Sequence, residues 1–192
     1  LSSLIEEKNP NIIINCIGLI PQKEQSESDV NYKDYKLINS DFPDMLCRII
    51  LNSVPCKLIH ITTDCIYDGK RGNYNENDEC NVITDYGKSK YIGEKNISLY
   101  KIDYTIIRTS IIGTELNSKA SLLEWLSTNS NKSVNGYTNH YWNGVTTLEL
   151  SKVIYKIIKD NICLKKMHIY SEVVSKYQLL NYINDVYGFN VK

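Results

Sequence analysis

Tyr86 and Lys90 stand four residues apart in the segment DYGKSKYIGEK (85–95), which is otherwise small and polar. Four residues make about one turn of α-helix, so the two side chains share a face and their tips can reach one object. A free phenol has a pKa of ~10 and is a poor acid at neutral pH. A neighbouring ammonium favours the phenolate, lowers that pKa and brings proton transfer into a useful range. The pair is either incidental polar surface or an acid with the cation that tunes it. Lys88 is an internal control, since two residues off Lys90 it should point away from any such site.

The elements around the pair read as alternating strands and helices. Residues 1–8 are the tail of a helix closed by NP, and NIIINCIG is a short apolar run ending in Gly, typical of a strand buried on both faces of a parallel sheet. A long helical pattern runs from about Tyr32 to Asn52, with Leu37, Ile38, Met45, Leu46, Ile49 and Ile50 on its apolar side. KLIHITTD is the next strand, CIYDGKRGNYNENDECNVIT a long loop, the Tyr86 helix runs to about Tyr100, and YTIIRTSIIG is a third buried strand. This is the βαβ alternation of an open parallel sheet. After Gly113 the elements shorten: helices near 119–128, 147–160 and 175–187, with a strand near 167–170. Residues 1–113 therefore read as the sheet domain and 114–192 as a smaller lobe interleaved with it.

Open α/β sheets bind ligands at the carboxyl ends of their strands. Three polar signals fall at such ends: NCIG (15–18), TTD (62–64) and RTS (108–110), with the Tyr86 helix between the last two. Each alone is an ordinary turn or cap signal. Their ordered combination is more specific.

Composition narrows the function classes. Lys+Arg and Asp+Glu are both 22 in 192 residues, without a basic run, so no net field draws the chain to nucleic acid or an anionic membrane. The longest apolar stretches are too short and interrupted to span a bilayer. Six cysteines (16, 47, 56, 65, 80, 163) form no CxxC pair and lie apart from the three histidines. Reduced thiols in a cytoplasmic protein, with no metal site, are expected.

TTDCIYDG, then YGKSKYIGE, with NCIG upstream and IIRTSIIG downstream, resembles the extended short-chain dehydrogenase/reductases, and within them the dTDP-4-dehydrorhamnose reductase type. The resemblance covers about residues 8–115, and YWNGVTTLELSKVI in outline. It implies a Rossmann-like α/β fold with a smaller substrate-binding lobe, NADPH or NADH as cofactor, and a nucleotide-linked 4-keto-6-deoxysugar as substrate. Tyr86 would be the general acid, Lys90 its electrostatic partner and a donor to the nicotinamide ribose, and Thr63 a hydrogen-bond donor to the same carbonyl. The resemblance also implies cofactor contacts at Asn15, Cys16, Gly18, Asn39 and Thr109, Asn39 matching an Asn that supports the Lys through water. Substrate contacts are implied at Thr63, Asp64, Ile111, Trp142 and Asn143. A homodimer is left open.

Departures from the family pattern matter as much. Cys65 stands where the 4,6-dehydratases carry the Glu of their Asp-Glu pair, which disfavours that chemistry. Ile111 replaces the Trp that rhamnose-forming enzymes place after this strand end, and their acidic residues are only loosely echoed by Glu24 and Glu27. No G-x-x-G-x-x-G occurs, and the chain opens LSSLIEEK without Met, so a fragment of a longer chain is expected, its pyrophosphate-binding turn lying upstream. By itself the chain is expected to be inactive. Two other readings compete with the reductase: a non-catalytic regulatory subunit on the same scaffold, as the beta subunit of methionine adenosyltransferase is, and a nucleotide-sugar epimerase. Trp142 has a rival structural reading as an anchor of the small lobe.

Overall fold

The computed structural model describes residues 1–21, 31–53, 55–115 and 121–192. Glu24 and Glu27 lie outside the described residues. The first of two units comprises Leu1–Thr109 and Ile162–His168, the second Ser110–Asn161 and Ile169–Lys192. The division therefore falls between Thr109 and Ser110, not at Gly113, because the next short strand pairs away from the main sheet.

In the first unit, helix α1 (Ser2–Lys8) precedes strand β1 (Ile12–Asn15), and helices α2 (Tyr32–Lys36) and α3 (Phe42–Asn52) lead to β2 (Lys57–Thr62). Helix α4 (Asp85–Ser98) then leads to β3 (Tyr104–Arg108). The strands lie parallel in the order β1-β2-β3, and Lys166–His168 adds a fourth parallel strand beside β3. This is the expected α/β fold with a Rossmann-like parallel sheet. The strand expected near 167–170 thus joins the main sheet, a non-local pairing that its three residues do not announce.

Leu58, Tyr104 and Ile106 of β2 and β3 pack with Leu46, Cys47 and Ile50 of α3 and Ile97 of α4, forming the core of this unit. β1 corrects an expectation. Ile14 is 44% exposed and Ile12 and Ile13 are half-buried, because among the described strands β1 pairs on one side only.

The long helix is corrected too. Between α2 and α3, Leu37–Asp41 form a π-helical turn, in which the Phe42 amide donates to the Leu37 carbonyl. Such a turn inserts one extra residue, which shifts the phase of the apolar stripe. Leu37 is consequently 59% exposed and Met45 42%, while Asn39 and Ser40 are buried. The Asn39 side chain closes the arrangement: its amide donates to the Leu19 carbonyl and Ser89 Oγ, both at 3.0 Å, and its Oδ1 accepts from the Leu19 amide at 2.9 Å. Ser40 Oγ donates to the Ser89 carbonyl at 2.7 Å.

The small residues of 85–95 follow from this packing. Helix α4 starts at Thr84, whose hydroxyl accepts from the Gly87 amide at 3.0 Å. A Cβ on Gly87 would run into the Cys65 carbonyl, and one on Gly93 into the Asn39 carbonyl of the π-helical turn. Backbone therefore grips α4 at both places.

In the second unit, β4 (Ile111–Ile112) pairs in parallel with β6 (Val145–Thr146), and β5 (Tyr141–Trp142) antiparallel with β8 (Val174–Ser175). The lone strand Lys166–His168 of the first unit is β7 in chain order. Helices α5 (Leu122–Thr128), α6 (Thr147–Lys159) and α7 (Lys176–Tyr187) complete the unit, α7 opening on a Ser175–Gln178 capping box and closing on Gly188 at φ 66°. Leu123, Leu126, Leu179, Leu180 and Ile183 form its core.

Gly93→Ala should destabilise the first unit by about 1–3 kcal/mol through overpacking, although Ala is the better helix former. Urea unfolding followed by circular dichroism measures it, and unchanged or raised stability would contradict the packing described.

Candidate active site

Nine of the expected site residues lie in the first unit, around the carboxyl ends of its strands. Asn15 ends β1, its Oδ1 accepting from the Ile17 amide at 3.0 Å and its Nδ2 donating to His60 Nδ1 at 3.0 Å. That bond makes Nδ1 the acceptor, so the neutral ring carries its proton on Nε2. His60 is fully buried, and desolvation, with the charge of Lys90 as a second cause, pushes its pKa down to about 3. The Asn15 side chain thus shapes the Cys16–Gly18 turn from within.

Gly18 in that turn has a specific cause. A Cβ there would stand 2.7 Å from Lys90 Nζ and 3.5 Å from Asn39 Oδ1. The ammonium passes directly beneath the glycine, and its described hydrogen bond, to the Ile61 carbonyl, is long at 3.5 Å. Lys90 is 5% exposed. Desolvation lowers its pKa to about 8, opposed by the charges of Glu94 and Cys16. Cys16 responds in kind, its thiol raised by burial while Lys90 pulls it down.

Tyr86, on the first turn of α4, has the Thr63 side chain close enough to oppose the rise in its pKa. Thr63 Oγ1 accepts from the Cys65 amide at 3.1 Å and lies 3.3 Å from Asp64 Oδ1. Burial pushes the phenol up to about 12, the nearby Thr63 side chain pulls the other way, and Cys65 and Asp64 raise it further. The expected lowering by Lys90 is therefore absent, because desolvation of the phenol dominates and the ammonium is directed under Gly18. Lys88 is exposed, its Nζ 5.3 Å from the centre of the Tyr32 ring. Thr109 is buried after β3, and its amide donates to the Thr62 carbonyl at 3.4 Å.

Ile111, Trp142 and Asn143 belong to the second unit. Ile111 is 50% exposed on β4. Trp142 packs on the core of that unit, its indole N–H donates to Ser110 Oγ at 2.8 Å, and Gly144 leaves room for its ring. The Asn143 carbonyl accepts from the Ser171 amide at 2.7 Å.

Sequence reasoning missed the groups beneath the site. Arg108 and Glu94 form a buried ion pair at 2.7 Å, and Arg108 Nη1 donates to the Tyr67 hydroxyl at 2.6 Å. In the sequence Arg108 opens RTS and Glu94 closes YGKSKYIGE, and as charged types neither is expected inside.

A family model described as the RmlD substrate binding domain matches residues 1–190. The chain belongs to this family. Among its RmlD-like relatives, the spore coat polysaccharide biosynthesis protein SpsK of Bacillus subtilis is 45% identical over 102 residues, 53% of this chain and 35% of that protein. The dTDP-4-dehydrorhamnose reductase of Aggregatibacter actinomycetemcomitans is 31% identical over 109 residues, 56% of this chain and 36% of that enzyme. These alignments span about a third of each relative's length. The crystal structure of the Bacillus anthracis dTDP-4-dehydrorhamnose reductase in complex with NADP superposes with a TM-score of 0.85 at 22% identity, covering 100% of this chain and 68% of that one. At that identity the match establishes the RmlD-type fold.

The lowered Lys90 value has a measurable sign. Below about 8 both folded and unfolded states hold the proton and the full desolvation penalty is present. Between about 8 and the ordinary 10.5 the folded state has released it and the unfolded state has not, so stability rises with pH. Lys90→Met, which keeps the stem, should stabilise the chain by a few kcal/mol at neutral pH. That advantage should shrink above pH 8 and vanish by about 10.5, and urea midpoints of the two chains across this range check it.

Proposed function

We propose that the protein reduces the 4-keto group of a nucleotide-linked 6-deoxysugar with NADPH or NADH, in the supply of precursors for a polysaccharide or glycan, and that it does so in the cytoplasm. The observation that carries this reading is the buried Lys90 ammonium one helical turn beyond Tyr86 on α4, with Thr63 at the carboxyl end of β2 beside that tyrosine. Membership of the RmlD family and the names of the relatives above support it. Among the described residues no helix is long and apolar enough to cross a membrane.

The residues present fit one end of a nicotinamide dinucleotide. Lys90 carries three donors, its described acceptor is distant, and the bare Cα of Gly18 leaves an approach over it. A pair of ribose hydroxyls suits such a group, and Asn15, Cys16, Asn39 and Thr109 are assigned to shaping or lining that approach. No G-x-x-G-x-x-G occurs in the 192 residues, so no such turn is assigned to the pyrophosphate. The bound nicotinamide supplies the hydride.

Tyr86 gives the proton to the carbonyl oxygen. With its pKa at about 12 the phenol is fully protonated at neutral pH, and the alkoxide forming on the sugar is more basic still. Thr63 fixes the direction of that oxygen. Asp64 is assigned to the sugar, as are Ile111, Trp142 and Asn143 of the second unit. Trp142 already gives its N–H to Ser110, so its ring is what it offers.

Single-turnover hydride transfer from NADPH to a dTDP- or UDP-4-keto-6-deoxyhexose, measured on the complete gene product by nicotinamide absorbance, tests the assignment. Tyr86→Phe should lower the rate about 10²–10⁴-fold with cofactor binding retained. Lys90→Met should cost at least as much and weaken cofactor binding, Thr63→Val should cost less, and Lys88→Met should change almost nothing. Full rate in Tyr86→Phe, or equal effects at Lys88 and Lys90, would sink the mechanism.

A further inference from the structure

Arg108 and Glu94 are among the most deeply buried side chains of the first unit. Arg108 Nη2 donates to Glu94 Oε2 at 2.7 Å and Nε donates to the same oxygen at 3.1 Å. A buried ion pair is weak evidence for stability, since well-packed apolar replacements are often as stable or more so. Its surroundings suggest a different use. Glu94 follows Lys90 by one turn of α4 and shares its face. The two form no ion pair among the described residues, yet the Glu94 charge is the leading influence that favours the Lys90 ammonium against burial.

The other end of Arg108 reaches outward. Nη1 donates to the Tyr67 hydroxyl at 2.6 Å and to the Glu76 carbonyl at 3.4 Å. The Tyr67 hydroxyl lies 3.0 Å from the Asn75 carbonyl and 3.2 Å from His168 Nε2, and the His168 amide donates to Glu76 Oε1 at 2.8 Å. The loop so held starts at Thr63 and ends at the cap of the helix that carries Tyr86.

We propose that Arg108 and Glu94 are positioning residues for Lys90: Arg108 holds the Glu94 carboxylate one turn from the ammonium, close enough to favour its charge and too firmly engaged to bond with it, and ties that placement to the 63–84 loop. The use made of the charge rests on the reading of Lys90 as a donor to the cofactor; the placement does not. The groups facing Lys90 are Cys16 from the β1 turn, His60 from β2, Asn39 from the π-helical turn and Glu94 from α4, with Arg108 of β3 behind Glu94 and Tyr86 one turn back on α4. His60 is held neutral, and the Cys16 and Tyr86 values are raised by burial. Among those named, Glu94 is the carboxylate, held by Arg108 at 2.7 Å.

The test is a titration of the [13Cε]lysine-labelled chain by NMR from about pH 6 to about pH 11, with the Lys90 resonance assigned by its loss in Lys90→Met. The expected midpoint is about 8 in the wild-type chain. Glu94→Gln should lower it by about one pH unit. The double variant Glu94→Gln/Arg108→Met, which leaves no buried ion unpaired, should fall between the two, and below wild type even if Glu94→Gln alone does not fold. Equal midpoints in the wild type and whichever variants fold, or titration of Lys90 at the ordinary lysine value, would overturn the proposal. Failure of the reductase reading would show separately, as absent hydride transfer with this titration pattern intact.

Discussion

A single buried ammonium sets the terms for the first unit. Lys90 lies beneath Gly18 with one distant carbonyl as its described hydrogen-bond partner, and keeping it charged there costs stability. Much nearby follows from that constraint. A Cβ in the turn after β1 would press on the ammonium, His60 stays neutral beneath it, and the one close carboxylate on α4 is held by Arg108 rather than collapsing onto the lysine. Such an arrangement is poor economy for folding alone. It is what a site needs if the ammonium must remain available to something that arrives from outside.

Rigid placement of α4 is the second requirement, and it comes from backbone contact more than from apolar packing. Gly87 lets the helix start against the Cys65 carbonyl, and Gly93 lets it pass the Asn39 carbonyl. Asn39 and Ser40 then pin the buried face of α4 through Ser89. Tyr86 and Lys90 thus sit on a helix with little freedom to slide, beside a strand end that offers Thr63. Under the proposed function, proton transfer from a phenol whose pKa is raised to about 12 would depend on this geometry rather than on an acidified tyrosine.

Local pattern carried much of this in the sequence. The parallel alternation, the helix starts at Thr84 and Ser175, and the polar residues at three strand ends depend on neighbours in the chain and could be read from it. What could not be read depends on distant partners. The π-helical turn exists because Asn39 bonds to Leu19 and Ser89, so a regular helix put Leu37 and Met45 on the wrong side. The place of β7 in the main sheet depends on pairing with Ile106–Arg108. Ile14 looked buried because its run is apolar, and only the sheet order shows that among the described strands β1 is paired on one side. The direction of the Tyr86 shift was misjudged for a related reason: spacing reveals a nearby cation but not how much water the phenol loses. The Glu94–Arg108 pair was invisible because neither residue type is expected inside.

Under the proposed function this arrangement delivers net reduction at a sugar carbonyl. The most direct measurement is mass spectrometry of the sugar product after incubating the complete gene product with a dTDP-4-keto-6-deoxyhexose and NADPH deuterated at the transferable position of its nicotinamide. The expected result is one deuterium at C4 of the product, with one equivalent of cofactor oxidised. Conversion of the sugar without net cofactor oxidation, or an unchanged 4-keto sugar in the presence of bound cofactor, would contradict the account.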